Sequence, residues 1–81
     1  MDQFDIENQY QLYLKRVELD ESKMPPLQKK QLRQTFMGAY GSLLMLLRND
    51  IAKMEEDAAI MTLKNMIKQV ANFFAKQVIQ G

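Results

Sequence analysis

The groups in this sequence that could do chemistry are few. Ser22, Thr35, Ser42 and Thr62 are the only aliphatic hydroxyls, and the chain has no His to activate one of them as a nucleophile. It has no Cys either, which removes a thiolate nucleophile, a disulfide framework and a zinc site built on sulfur. Without His there is also no imidazole metal ligand and no proton shuttle near neutral pH. Glu55, Glu56 and Asp57 are three successive carboxylates, but successive helical residues point about 100° apart and do not converge on a cation. No Ser–Lys motif, calcium-binding loop, phosphate-binding glycine loop or dinucleotide fingerprint occurs. Enzyme is the least supported class; no catalytic residue, cofactor or metal is expected.

Charge offers a second kind of chemistry. Residues 1–21 carry six acids and two bases, whereas residues 22–53 carry six bases and one acid. Within the middle segment Lys23, Lys29, Lys30 and Arg33 cluster around the start of a helix, where cations oppose the helix dipole. Two readings follow. Glu18, Asp20 and Glu21 lie just upstream and could fold back onto Lys29, Lys30 and Arg33 as surface ion pairs. Alternatively the cluster and the free N–H groups of the helix start could hold an anion, such as a phosphate of nucleic acid. A pI of about 8.0 is modest for a nucleic-acid-binding domain, so pairing within the chain is the preferred reading.

A third feature is contact chemistry. Gly38-Ala39-Tyr40-Gly41-Ser42 places two glycines inside a helical pattern, at a cost of about 0.8–1.0 kcal/mol each relative to Ala. Close approach of another helix along Gly38, Gly41 and Ser42 would explain them; a kink, or a helix ending at Gly41, is the alternative. Met37, Leu44 and Met45 lie on a second face of the same segment. Met is adaptable and common on binding surfaces, although it also fills cores. Met37, Gly38, Gly41, Ser42, Leu44 and Met45 are therefore the candidate partner or oligomer interface.

Three helices must position these groups. The first spans about residues 4–17, with Ile6, Tyr10, Tyr13, Leu14 and Val17 on one face. A polar connector, residues 18–26, leads to a second helix over about 26–53, which Pro26 suits as an opening residue. Its five consecutive apolar residues, Leu43 to Leu47, go round the helix and need cover on more than one side. The acid cluster marks a third helix over 55–80, with apolar doublets Ala59/Ile60, Met66/Ile67, Phe73/Phe74 and Val78/Ile79. No Gly or Pro separates the second helix from the third, so one long bent helix is the alternative.

The expected fold is an all-α, three-helix single domain with a long central helix, assembled as a helical dimer or higher oligomer. The expected core comprises Ile6, Tyr10, Tyr13, Leu14, Val17, Leu32, Phe36, Tyr40, Leu43, Leu47, Ile60, Leu63, Ile67, Val70, Phe73 and Phe74. Eighty-one residues without disulfides supply only about 3–5 kcal/mol from one core, which favours burial against another chain. The acidic start does not read as a signal peptide, and the longest apolar run, residues 36–47, is too short to span a bilayer. A cytoplasmic protein is expected, with no membrane partner. The expected function is a protein–protein interaction module, a homo-oligomer or adaptor working by burial of apolar helix faces. The alternative is a small nucleic-acid-associated regulator using Lys23, Lys29, Lys30 and Arg33.

Overall fold

Asp5 opens the first helix by accepting the Glu7 backbone N–H on its side chain at 3.2 Å. The computed structural model describes the backbone of residues 2–80 and the side chains as far as Gln77; Met1, the Val78/Ile79 doublet and Gly81 lie outside the described residues. Three α-helices make up most of the chain: α1 (Ile6–Arg16), α2 (Pro26–Asn49) and α3 (Glu56–Gln80), with short 3₁₀ turns at Glu21–Lys23 and Ile51–Lys53. The chain is 83% helical with no strand among the described residues, so it is all-α.

The ends of α1 and α2 differ from the sequence expectation for local reasons. Helix α1 starts at Ile6 rather than Phe4 because Asp5 takes the capping position, its own N–H donating to the Asp2 carbonyl at 3.1 Å. Helix α1 ends in a Schellman turn. The Leu19 N–H donates to the Leu14 carbonyl (2.9 Å) and the Glu18 N–H to the Lys15 carbonyl (3.2 Å), with Glu18 left-handed at φ 58°. Helix α2 stops at Asn49 instead of continuing to Lys53, and the 3₁₀ turn Ile51–Lys53 carries the chain into α3. Glu55 then caps α3 by accepting the N–H groups of Asp57 (3.1 Å) and Ala58 (3.2 Å). The two helices are thus separate, not one bent helix.

The chain divides into two units, Met1–Ser42 and Leu43–Gly81. In the first, Tyr10 and Leu14 of α1 are buried, and Ile6, Tyr13, Leu32, Phe36 and Tyr40 are half-buried beside them. The Phe36 ring is central. Its centroid lies 5.1 Å from Tyr10, edge-on, 5.4 Å from Tyr13 and 5.3 Å from Tyr40, separations at which aromatic pairs attract. In the second unit Ile51 is buried in the turn that packs against α3, with Leu47, Leu63 and Met66 half-buried.

The expected core is too large. Val17, Leu43, Ile60, Ile67, Val70, Phe73 and Phe74 are exposed. Val17 sits at the helix end, where the chain turns away. The other six belong to the second unit, where α2 contributes only residues 43–49, about 10 Å of helix, against the roughly 37 Å of α3. So short a segment cannot cover the apolar face of α3.

Candidate functional site

The sequence-predicted basic cluster is split by the structure. Arg33, on α2, is held by two carboxylates. It donates from Nη1 to Glu7 Oε1 at 2.8 Å and from Nη2 to Glu7 Oε2 at 3.2 Å. It also donates from Nε to Glu21 Oε2 at 2.9 Å and from Nη2 to Glu21 Oε1 at 3.0 Å. Both pairings are two-pronged, the geometry that the guanidinium fork favours. The guanidinium also lies 4.7 Å from the centre of the Tyr10 ring, whose hydroxyl donates to Glu21 Oε2 at 2.9 Å. Gln11 Nε2 donates to Glu7 Oε2 at 2.8 Å.

The electrostatics follow from these bonds. Arg33 hydrogen bonds hold the Glu7 carboxyl below its usual value, with Gln11 assisting, and do the same for Glu21. The guanidinium itself is pushed up by both carboxylates. Burial, followed by donation to Glu21, raises the Tyr10 phenol. Glu7, Glu21, Tyr10 and Arg33 therefore form a clasp that pins the connector turn to both α1 and α2. Each of the four side chains is hydrogen-bonded to another member of the clasp.

Arg33 is accordingly not a free anion contact. Pairing within the chain holds at this residue, with Glu21 from the expected upstream acids and Glu7 from α1 unforeseen. Lys23, Lys29 and Lys30 are exposed, and no salt bridge involves them among the described residues. Glu18 and Asp20 do not join the clasp; Asp20 instead accepts the Ser22 hydroxyl (2.7 Å) and N–H (2.9 Å), which lower its carboxyl.

The expected interface residues lie along α2. Met37, Leu44 and Met45 are exposed. A Cβ added at Gly38 or Gly41 would meet nothing within 4 Å, so within the first unit no described residue outside the helix's own backbone packs closely on the glycines. Helix α2 also runs through Gly41 without ending there. Ser42 Oγ donates to the Gly38 carbonyl at 3.0 Å, a bond within the helix.

A further apolar surface lies on residues that the sequence reading places in the core. In the second unit Leu43, Leu63, Met66, Ile67, Val70 and Ala71 line an open groove of about 520 Å³. Of these Ile67 is 68% and Val70 58% exposed, and the next turn of α3 adds Phe73 at 56% and Phe74 at 55%. The Phe73 and Phe74 rings meet edge-on at 5.3 Å. The sequence signal for this surface is the run of doublets along α3, whose stripe is wider than so short a stretch of α2 covers.

Among the described residues no group of three acidic side chains is placed to hold a metal ion, and no helix is long and apolar enough to cross a membrane. No protein-family model, curated protein or solved structure matches the chain.

Proposed function

We propose that the chain is a small helical protein–protein interaction module, working by burial of an apolar helix face against a partner. The observation that carries this reading is the exposed row Ile67, Val70, Phe73 and Phe74 along the groove floored by Leu63 and Met66. Leaving such a face in water forgoes about 25 cal/mol for every Å² of apolar surface, the term that a partner recovers. The α2 strip of Met37, Gly38, Gly41, Ser42, Leu44 and Met45 remains a second candidate interface on the same reasoning.

Two readouts test the proposal: solution mass by light scattering, and fluorescence of a dye that lights up on exposed apolar surface. The module reading expects either a mass above 9.5 kDa or a 9.5 kDa monomer that binds the dye. Ile67→Glu with Val70→Glu abolishes whichever signal is seen while circular dichroism stays helical. A monomer that binds no dye and is unchanged by both substitutions overturns it.

The nucleic-acid reading draws less support, because Arg33 is engaged by Glu7 and Glu21 and only Lys23, Lys29 and Lys30 remain for phosphates. Its test is binding to DNA or RNA at low salt, which must weaken steeply as salt rises and disappear when the three lysines become Gln.

A further inference from the structure

We infer that the occupant of the α3 face is a second copy of this chain, its own α3 running antiparallel across the first and centred near Ile67. This rests on the module reading above and names its partner. Three observations carry it.

The first is spacing. Ile60, Leu63, Ile67, Val70 and Phe74 recur at steps of three, four, three and four, the 3.5-residue period that keeps one helix seam against another. The row is apolar read in either direction from Ile67, so a copy running the opposite way meets it with apolar residues at matching heights. Ile60 faces the level of Phe74 of the second copy, and Leu63 falls within one residue, about 1.5 Å, of the level of Val70. Lys64 and Lys68 lie off this line, at the rim and beyond.

The second is charge. Helix α3 opens on Glu55, Glu56 and Asp57 and carries Lys76 near its other end, and none of the four takes part in a salt bridge among the described residues. An antiparallel copy sets each acidic start beside the lysine-bearing end of the other, and opposes the two helix dipoles favourably. A parallel copy in register would place the two acidic clusters together, a like-charge contact that disfavours it.

The third is length. Within its own unit α3 has about 10 Å of α2 alongside it and is itself about 37 Å long. A second α3 matches that length and period over its whole span, whereas the comparable seam of α2 is partly taken up within its own unit at Leu32, Phe36 and Tyr40.

Single cysteines test the arrangement, since the chain has none of its own. Ile67→Cys sits near the two-fold axis and should oxidise to a covalent dimer in high yield. Ile60→Cys and Phe74→Cys lie seven residues to either side, which puts two copies of each about 21 Å apart, beyond the reach of a disulfide. Each alone should stay uncrosslinked, whereas the two mixed should crosslink to one another. Light scattering on the unmodified chain should give about 19 kDa, twice 9.5 kDa. Ile67→Glu should weaken the association about a hundredfold or more, as loss of a central apolar anchor does. Circular dichroism confirms that each variant is folded.

Self-crosslinking of Ile60→Cys or Phe74→Cys to the same extent as Ile67→Cys would show a parallel pair and overturn the inference. A dimer in which none of the three crosslinks uses another face, and overturns it equally. A folded 9.5 kDa monomer at every concentration also overturns it; if that monomer binds dye through Ile67 and Val70, the module reading survives and the partner is a different protein.

Discussion

Arg33 makes four hydrogen bonds to two carboxylates, and its replacement should change how the fold responds to acid. Glu7 and Glu21 are both held below the usual carboxylate value of 4.5. Between their folded values and about 4.5 the unfolded chain binds more protons than the folded one, so stability rises with pH through that window. The contribution is complete above it and lost as acid protonates the pair in the fold. Thermal melts followed by circular dichroism should show the midpoint falling as pH drops from about 5 towards 2. Arg33→Gln should lower the neutral-pH midpoint and flatten this dependence; a variant with an unchanged acid profile would show that the clasp contributes nothing. From sequence, three cations competed for the acids upstream, and nothing in the spacing favoured Arg33 among them. Glu7 was illegible because it reaches Arg33 across 26 positions, from another helix. Such a pairing is decided by how α1 docks, not by any local pattern.

The starts of α2 and α3 were legible from local residues. Pro26 and the acid cluster at residues 55–57 announce two starts, because the first turn of a helix favours a proline without an N–H and carboxylates near free N–H groups. The end of α1 is marked by Lys15 and Arg16 in its last turn but by no Gly. Its left-handed position is occupied by Glu18, where Gly is the usual residue. A left-handed non-glycine costs roughly 1–2 kcal/mol, and the extra freedom of Gly in the unfolded chain returns roughly 0.5–1 of it. Glu18→Gly should therefore raise stability by roughly 0.5–1 kcal/mol, seen as a melting midpoint several degrees higher. A lower midpoint would mean that the Glu18 side chain makes a contribution beyond its backbone. The glycines of α2 were read as a strip for close helix approach, but within their own unit no described residue comes within 4 Å of a Cβ added there outside the helix's own backbone. Gly41→Ala has open space for its methyl and should stabilise the folded chain by about 0.8–1.0 kcal/mol through helix propensity alone. If another molecule uses the Gly38–Ser42 strip, the same substitution should weaken association while raising the monomer's midpoint. Light scattering and melting on one sample separate the two effects.

At the scale of the whole chain, the sequence identified the apolar faces and overestimated what covers them. Periodicity reports which side of a helix is apolar, and nothing in it says whether the cover comes from this chain or another. Tyr10, Leu14 and the Phe36 cluster were placed correctly because α1 and the first part of α2 supply each other's cover. Ile67, Val70, Phe73 and Phe74 were misplaced because α2 stops at Asn49, after a stretch too short to reach them within their unit. The end of α2 was hidden because residues 50–55 contain neither Gly nor Pro. If the α3 face is buried between molecules, the melting midpoint must depend on concentration, since association stabilises the folded form by mass action. A midpoint constant over a hundredfold dilution would argue for a chain that is stable alone.

The clasp also says something about time. The longest side-chain hydrogen bond among the described residues spans only the 26 positions between Glu7 and Arg33. Contacts so close along the chain close small loops, and helical chains built from them fold in microseconds to milliseconds. Encounter between two molecules has no such advantage and slows in proportion to dilution. During synthesis each new chain would thus hold its helices early and wait, apolar face open, for whatever it meets first. The local concentration of copies, more than the speed of folding, would decide what that is.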